Sequence, residues 1–359
     1  MPTLDLFSPL TLGDLQLKNR IIMAPMTRSR AETDGCANAL MADYYQQRAS
    51  AGLIITEGVY PSEDGKGYCR TPGIVTAEHI QSWQAVSSGV HAKGGKIVMQ
   101  IMHCGRIAHA ANKQANSKTV APSAIAATGQ MYTDSLGMQA FDQPHALTVE
   151  EIKNTINEFS QASKNALAAG FDGVELHCTS GYLPAQFLST GSNQRNDEYG
   201  GCVENRIRFV VECLEAMAKV AGAGRVGLRI CPANPFNDLV DANPKETFQA
   251  LLKAIAPLKL AYLHAIKSPD KNIDVSRLAQ QYFHGPLIIN DGYDQASAAS
   301  CLLEKQADAV AFGRLFIANP DLVERFKNAL PLSEFNHKTL YTSGSKGYND
   351  YATAEEQHA

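Results

Sequence analysis

Residues Asp172–Leu183 read DGVELHCTSGYL, and they combine a predicted strand with a group of reactive side chains. The first half is a short, mainly apolar run that predicts a buried strand. Its far end supplies His177, and Ser180 and Tyr182 follow three and five residues later. A strand that ends in hydrogen-bonding and proton-carrying side chains is typical of an α/β enzyme. An ordinary polar turn explains this segment alone equally well, so the surrounding sequence has to decide.

Predicted strands and helices alternate on both sides of this segment. The other strands are predicted at residues 20–26, 53–56, 96–102, 226–231, 261–266, 287–290 and 308–312. The helices are predicted at residues 38–52, 76–93, 148–169, 203–221, 245–257, 273–282, 295–304 and 321–329. Strict alternation implies parallel pairing, and eight such units in about 330 residues predict an α/β protein with a closed (β/α)₈ TIM barrel. A doubly wound open sheet is the alternative, but the first half of the chain has no GxGxxG or GxxxxGK[ST] phosphate loop.

Two segments fall outside the alternation. Residues 4–17 alternate and turn, which predicts an N-terminal hairpin before the barrel. Residues 103–147 follow the third strand without a clear period, and a connection of this length predicts a capping insertion. No change of composition marks a boundary, so we expect a single domain over residues 1–359. We expect the last residues, 354–359, to be loose.

The composition is that of an ordinary globular protein, with 45% hydrophobic and 19% charged residues. A formal net charge of -4 favours neither nucleic acid nor an anionic membrane as a partner. We expect no signal peptide, because the N-terminal sequence lacks a basic region followed by an apolar run, and we expect no membrane span. The eight cysteines form no CxxC pair, which predicts reduced thiols and a cytoplasmic protein.

Polar residues or glycines recur at the predicted carboxyl ends of the strands, where barrel enzymes keep their chemistry. These residues are Thr27, Gly58, Gln100, His177, Arg229, Asn290, Asp291, Gly292, Gly313 and Arg314. Glycine and arginine after strands seven and eight suit a phosphate group. A buried Arg229 requires an anion, and few acidic residues nearby are available to pair with it. Because Gln100 and Thr27 can read the edges of a heterocycle, the pattern predicts a phosphorylated flat cofactor.

Five long motifs resemble one known family over nearly the whole chain. They are NRIIMAPMTRSRA (19–31), YYQQRASAGLIITEG (44–58), SNQRNDEYGGCVENR (192–206), FGRLFIANPDL (312–322) and GYNDY (347–351). The chain is similar to the Old Yellow Enzyme family of FMN-dependent oxidoreductases, and within it to the morphinone reductase and nitrate-ester reductase members. The resemblance implies a (β/α)₈ barrel that binds FMN non-covalently and takes hydride from NAD(P)H. It implies reduction of activated C=C bonds in α,β-unsaturated carbonyl compounds, with nitro compounds and nitrate esters as further small-molecule acceptors.

Matched residue by residue, the resemblance implies a cofactor site and a substrate site. The implied FMN-binding residues are Pro25, Met26, Thr27, Gly58, Gln100, Arg229, Asp291, Gly292, Gly313 and Arg314. The implied substrate-binding residues are Tyr68, Met102, His177, Ser180 and Tyr351. Arg229 would face the anionic N1–O2 locus of reduced flavin. His177 would bind the substrate oxygen, and Tyr182 would donate the proton to carbon.

Three of these positions depart from the family pattern. Ser180 stands where the family usually has Asn or His, which shortens the second donor beside His177. Met102 stands where Trp is common, and this should widen and soften the pocket. Asp291 stands where Gly is usual, so its carboxylate must point away from a phosphate to avoid weakening its binding. The sequence therefore leaves open the physiological substrate, the choice of NADPH or NADH, and the oligomeric state.

Two other functions are also open at this point. A metal-dependent barrel hydrolase would draw its ligands from the His-Cys pairs at residues 103–104 and 177–178. Neighbouring residues of a strand point to opposite faces, however, so each pair offers one inward ligand, and only Asp291 adds a carboxylate. We therefore expect no metal site. A flavin-binding protein with little ene-reductase activity is the third hypothesis, although His177 and Tyr182 are both present.

Overall fold

The computed structural model describes residues 5–358 of the chain. Those parts of the predictions that fall on residues 1–4 and on residue 359 lie outside the described residues. Over the described range, no helix combines the length and the apolar character that a membrane span requires.

Eight parallel strands close into a barrel and follow one another around it in chain order. Numbered along the chain, the strands are β1 (Leu10–Leu12), β2 (Leu15–Leu17), β3 (Ile21–Met23), β4 (Leu53–Ile55), β5 (Ile97–Ile101), β6 (Val120–Ala121), β7 (Gln130–Thr133), β8 (Gly137–Ala140), β9 (His145–Ala146), β10 (Gly173–Cys178), β11 (Val226–Ile230), β12 (Tyr262–Ile266), β13 (Leu287–Asn290) and β14 (Ala309–Phe312). The barrel consists of β3, β4, β5 and β10 to β14. The predicted (β/α)₈ barrel is therefore confirmed.

Helices pack around the barrel between its strands. They are α1 (Ala39–Gln47), α2 (Ala77–Ala92), α3 (Val149–Ala168), α4 (Leu183–Leu188), α5 (Val203–Ala221), α6 (Pro244–Ile255), α7 (Val275–Tyr282), α8 (Gln295–Leu303), α9 (Arg314–Ala318), α10 (Leu322–Lys327) and α11 (Ala354–His358). Short 3₁₀ turns cover Glu63–Gly65, Ala110–Asn112, Ala223–Arg225, Ala256–Leu258 and His337–Thr339. A capping box begins α3, since the Thr148 hydroxyl accepts from the Glu151 N–H and the Glu151 carboxylate accepts from the Thr148 N–H.

The helices differ from the predictions at three places. The sequence did not predict α9, which precedes the helix predicted at residues 321–329. α9 ends at Ala318, because Pro320 disfavours the helical conformation of the residue before it. The sequence also did not predict α4, because this helix is too short to show a period. The expectation that residues 354–358 are loose was wrong. Thr353 caps α11 there, and both its N–H and its hydroxyl donate to Glu356.

The capping insertion at residues 103–147 contains short strands that the sequence did not reveal. β7 and β8 form an antiparallel hairpin, and β6 pairs with β9 in parallel. These strands are two to four residues long, which is too short for a periodic pattern. Leu136 in the hairpin turn is 59% exposed, so the tip of the hairpin extends into solvent.

The N-terminal hairpin of β1 and β2 closes the amino end of the barrel. Leu12, Leu15 and Leu17 pack in one buried cluster with inward-facing residues of the barrel strands. The hairpin turn lies so close to the barrel that a Cβ at Gly13 would meet the Gly224 carbonyl oxygen at 2.4 Å. Because this end is filled with apolar side chains, the polar groups of the barrel interior can meet a ligand only at the opposite, carboxyl end.

Candidate active site

A cavity of about 1540 Å³ opens at the carboxyl ends of the barrel strands. Ligand pockets usually measure roughly 300–1,000 Å³, so this cavity has room for a cofactor and a substrate together. Its wall is built by residues at the ends of β3, β5, β10, β11, β13 and β14, by the β7–β8 hairpin, and by residues 335–343 near the C-terminus. The site therefore lies where barrel enzymes generally place their chemistry.

Most of the residues predicted for the site line this one cavity. The cavity-lining members of the predicted cofactor set are Pro25, Met26, Thr27, Gln100, Arg229, Asp291, Gly292, Gly313 and Arg314. The cavity-lining members of the predicted substrate and catalytic set are Tyr68, Met102, His177, Ser180 and Tyr182. Closure of the barrel thus brings together groups that are far apart in the sequence.

Two predicted residues do not line the cavity. Gly58 is buried behind Met102, and a Cβ at this position would meet the Met102 sulfur at 2.4 Å. The structure therefore gives Gly58 the role of making space for Met102. Tyr351 lies behind the cavity wall, and its hydroxyl accepts a hydrogen bond of 2.9 Å from the N–H of Asn336, whose neighbours Phe335 and His337 line the cavity. The C-terminal tyrosine that does line the wall is Tyr341.

A chain of buried polar side chains lies at the base of the cavity. Gln100 Nε2 donates to Glu175 Oε1 at 2.7 Å, and His264 Nδ1 lies 2.9 Å from Glu175 Oε2. Arg229 Nη1 lies 3.4 Å from His264 Nε2, and Arg229 Nη2 donates to Asn290 Oδ1 at 3.0 Å. Burial opposes ionisation of Glu175, but the neighbouring His264 and Arg229 hold its pKa below the ordinary value. Glu175 is therefore an ionised carboxylate inside the barrel.

Two members of this chain, Glu175 and His264, are not among the site residues predicted from the sequence. Within residues 5–358 no carboxylate forms an ion pair with Arg229, in line with the expectation that few acidic residues are available, but buried Glu175 lies behind His264 and offsets part of the Arg229 charge. Strand periodicity could have revealed Glu175, since it lies two residues before His177 and so on the same face of β10. His264 could not be found in this way, because it becomes significant only when β12 pairs with β11 and sets it beside Arg229.

His177 and Tyr182 form the second polar group of the cavity. Although His177 is buried, its Nδ1 has no hydrogen-bond partner in the protein. Burial, and then Arg229, lower the pKa of His177 well below the usual histidine value, so the ring is neutral. The Tyr182 hydroxyl donates to the Tyr68 hydroxyl at 3.1 Å, and burial holds its pKa well above the usual tyrosine value. The pair therefore offers a neutral imidazole and a protonated phenol.

A sharp turn after β10 positions these groups. Ser180 and Gly181 both have left-handed backbone conformations, with φ of 56° and 82°. The Asn237 side chain supports this turn by donating to the Ser180 carbonyl at 2.7 Å. Asn and His adopt the left-handed conformation more readily than most residues, so the backbone also suits the Asn or His that the resemblance implies as usual at this position.

The residues present fit FMN on both the ring side and the phosphate side. On the ring side, Arg229 Nε is buried and has no hydrogen-bond partner, as expected of a donor that awaits a ligand. On the phosphate side, Gly292 is left-handed with φ of 75°, and a Cβ there would meet no atom within 4 Å. Arg314 is exposed beside it and supplies a cation. Asp291 is also exposed, so its carboxylate can be solvated instead of facing a phosphate.

Comparison with known proteins identifies the family. A family model described as "NADH:flavin oxidoreductase / NADH oxidase family" matches residues 5–333. The chain belongs to this family. It is 40% identical to the probable flavin mononucleotide-dependent alkene reductase of Leishmania infantum, over 96% of each chain. It is 34% identical to 12-oxophytodienoate reductase 2 of Arabidopsis thaliana, over 98% of this chain and 96% of that relative.

Solved structures of the flavin oxidoreductase family have the same fold. Morphinone reductase is 41% identical and superposes with a TM-score of 0.94 over 99% of this chain and 98% of that chain. The Old Yellow Enzyme homologue of Zymomonas mobilis is 37% identical, with a TM-score of 0.94 over 97% of this chain and 99% of that chain. This chain is accordingly an FMN-dependent NAD(P)H oxidoreductase of the ene-reductase type. The hypothesis of a metal-dependent hydrolase is not favoured, and residues 5–358 contain no group of three or more His, Cys, Asp or Glu side chains arranged for a metal.

The C-terminal wall of this flavin oxidoreductase site is held by two buried arginines. Arg28 donates to the carbonyls of Leu340 and Gly347, at 3.1 and 2.7 Å. Arg30 donates to the carbonyls of Leu340 and Thr339, at 2.7 and 2.8 Å. Both arginines belong to the segment that follows β3 and carries Thr27, so the cofactor wall and the C-terminal wall are fixed to each other.

A third arginine, Arg70, holds three parts of the cavity wall together. Its Nε donates to the Ser29 carbonyl at 3.1 Å, and its Nη2 donates to the Tyr341 carbonyl at 2.8 Å. Its Nη1 forms an ion pair with Asp134 in the turn of the β7–β8 hairpin. Since Ser29, Asp134 and Tyr341 all line the cavity, Arg70 sets the position of the hairpin relative to the barrel.

Exposed apolar side chains surround the cavity mouth. They are Tyr132, Met138, Phe236 and Tyr341, with exposed fractions of 52%, 54%, 59% and 61%. Tyr132 and Met138 face each other across the hairpin that Arg70 holds. Apolar groups concentrated around a ligand cavity mark a surface that binds an apolar part of a ligand.

The first prediction concerns the ion pair of Arg70 and Asp134. Asp134→Ala should raise the KM for a bulky apolar enone about two- to fivefold, because the hairpin loses an ion pair of the strength that exposed pairs provide. The kcat for a small enone should change little, since the hairpin does not carry the reacting groups. Steady-state kinetics at low and high salt would measure both effects, and high salt should reduce the difference between variant and wild type.

Lys118→Ala is the matched control for this ion pair. Lys118 lies in the same insertion and pairs with Glu151 at 3.6 Å, but it does not line the cavity. This control should leave both KM values unchanged. Equal KM values for the bulky enone in wild type and Asp134→Ala would show that the ion pair does not position the hairpin.

Proposed function

We propose that this single-domain protein reduces the C=C bond of α,β-unsaturated carbonyl compounds by using NAD(P)H and non-covalent FMN. The observation that carries the proposal is the arrangement of one cavity. At its base lies the unpartnered Nε of buried Arg229, and on its side lie a neutral His177 and a protonated Tyr182. A cation below a ring site and two neutral polar groups above it suit hydride transfer followed by protonation.

Different residues would hold the ring and the phosphate of FMN. Thr27, Gln100 and Arg229 would hold the ring, because they line the base of the cavity. Gly292 and Arg314 would hold the phosphate, together with Gly313, at the ends of β13 and β14. When bound there, FMN would supply two-electron redox chemistry between the nicotinamide as hydride donor and the substrate as hydride acceptor.

Above the ring, the substrate oxygen would lie against His177 and Ser180. A neutral imidazole stabilises negative charge on that oxygen by hydrogen bonding without leaving a buried ion pair behind. The Ser180 hydroxyl is a shorter second donor than the Asn or His that the family usually has, so His177 would make the main contact. Tyr182 would then protonate the carbon opposite the one that receives the hydride, because its hydroxyl is held protonated beside Tyr68.

The apolar rim extends the proposal to the shape of the substrate. Tyr132, Met138, Phe236 and Tyr341 favour an electron-poor alkene that carries a bulky apolar substituent. Nitro compounds and nitrate esters present similar oxygen atoms to His177 and are proposed as further acceptors. A cytoplasmic location is proposed as well, and the free thiols of all eight cysteines support it.

Binding of FMN is the first test of this function. The purified protein should be yellow and should release one FMN per chain on denaturation, and it should oxidise NADPH or NADH when an enone is added. Arg314→Ala should weaken FMN about ten- to hundredfold, since it removes a charge-assisted contact to phosphate. Arg277→Ala, which removes an exposed arginine of α7 away from the cavity, should bind FMN normally. A protein that takes up no FMN on reconstitution would rule out the function.

The role of Tyr182 can be separated from the role of the flavin. In Tyr182→Phe, reduction of the flavin by nicotinamide should proceed at the normal rate, while enone reduction should slow about a hundredfold or more. Rapid-mixing measurements of the two half-reactions would show this. Tyr60→Phe, at a buried tyrosine away from the cavity, is the control and should leave both rates unchanged. A proton donor other than Tyr182 would be indicated if both half-reactions of Tyr182→Phe kept the wild-type rates.

The rate of enone reduction by the reduced enzyme should not depend on pH near neutrality. The pKa of His177 lies below and that of Tyr182 above the ordinary values of about 6.5 and 10. Between those pH values neither group changes its protonation, so the rate of enone reduction by pre-reduced enzyme should be flat. A rate that titrates near pH 7 or pH 8 would contradict the protonation states assigned to these residues.

A further inference from the structure

The buried chain at the cavity base has a defined arrangement of protons. The Arg229 guanidinium can only donate hydrogen bonds, so His264 Nε2, 3.4 Å away, must accept. The proton of the neutral ring then lies on Nδ1, which donates to Glu175 Oε2 at 2.9 Å. Burial, followed by Arg229, lowers the pKa of His264, which agrees with a neutral ring. A neutral imidazole therefore connects a buried cation to a buried carboxylate.

The same carboxylate fixes the orientation of Gln100. An ionised Glu175 can only accept, so the Gln100 group 2.7 Å from its Oε1 is the amide NH₂. The amide oxygen of Gln100 is then left for the cavity that this residue lines. Gln100 therefore presents its amide oxygen to the ligand. A reversed amide would place that oxygen against the Glu175 carboxylate, and both groups can only accept hydrogen bonds.

We propose that Glu175 is a positioning residue that sets the preference of the site for oxidised or reduced flavin. It acts in two ways, since it holds the Gln100 amide oxygen towards the ring and offsets the Arg229 charge through His264. This inference rests on the proposed binding of FMN. Glu175 itself is 0% exposed and does not line the cavity, so its effect on the ring is exerted through these partners.

The effect of the Glu175 charge on the midpoint potential of bound flavin has a sign that can be predicted and measured. Reduced flavin carries more negative charge at its N1–O2 edge, which Arg229 would face. Loss of the Glu175 charge would leave the Arg229 charge less offset and would therefore favour the reduced form. One unit charge at roughly 10 Å, with an effective dielectric constant of about 20, changes an equilibrium about tenfold. A tenfold change in a two-electron equilibrium corresponds to about 30 mV. Replacing Glu175 should therefore make the midpoint potential of the bound flavin more positive.

Glu175→Gln is the variant of choice, because it keeps the size of the side chain and removes its charge. The midpoint potential of bound FMN should rise by about 30 mV, so that the ratio of the Kd values for oxidised and reduced FMN increases about tenfold. Asp172→Asn is the matched control. Asp172 is another buried, paired carboxylate, but it precedes β10 at the opposite end of the barrel, where it bonds to Lys96 and His91. The potential of the control should stay that of the wild type.

A residue with a purely structural role would weaken both redox forms of FMN equally and leave the midpoint potential unchanged. An unchanged or more negative potential in Glu175→Gln would therefore overturn the proposal. This result differs from a failure of the proposed function, in which the wild type itself would not bind FMN.

A second measurement needs no variant. Nitrogen-15 histidine spectra of the wild-type protein as purified should show His264 as a neutral ring with its proton on Nδ1 from about pH 5 to pH 9, around the ordinary histidine pKa. The signal can be assigned to His264 by its loss in the His264→Asn variant. If His264 titrates in that range or carries its proton on Nε2, the arrangement of hydrogen bonds is different and the proposal fails.

Discussion

Closure of the parallel sheet is the constraint on which the rest of this structure depends. A closed barrel has no free edge, and all eight strands end at the same rim. The N-terminal hairpin fills the amino end with leucine side chains, which leaves the carboxyl end as the place where the barrel interior can meet a ligand. Residues from the first and the last strands, such as Thr27 and Arg314, consequently share one cavity with His177.

The barrel interior contains a charge that its own fold only partly satisfies. Arg229 donates to Asn290 and lies against His264, yet its Nε has no partner and is shielded from water. A buried guanidinium without full pairing costs free energy unless an anion completes the site. Glu175 offsets the charge from below, and the anionic edge of reduced flavin would complete it from above. Arg229 therefore connects the stability of the barrel with the redox chemistry proposed for its mouth.

The sequence predicted the barrel and most of the cavity, because apolar strand patterns, helix caps and strand-end residues are local features. It did not predict Glu175 and His264, whose meaning depends on the register between β10, β11 and β12. It also placed Tyr351 in the pocket wall, whereas the path of the C-terminal segment sets Tyr341 there. That path is fixed by hydrogen bonds from Arg28 and Arg30 to backbone carbonyls, and such bonds leave no pattern in the sequence of the segment they hold. The residue types therefore predicted the polar groups at the strand ends. Long-range contacts determined which other side chains line the same cavity.

Because the site has a single mouth, we expect the nicotinamide and the electron-poor alkene to occupy the same space above the flavin in turn. The most direct test is the initial rate measured over a matrix of nicotinamide and enone concentrations, with wild-type holoenzyme at fixed ionic strength. Parallel double-reciprocal lines are expected, because the oxidised nicotinamide has to leave before the enone can lie against His177 and Tyr182. Intersecting lines would show that both substrates are bound together, and this would contradict a site in which one cavity serves both half-reactions.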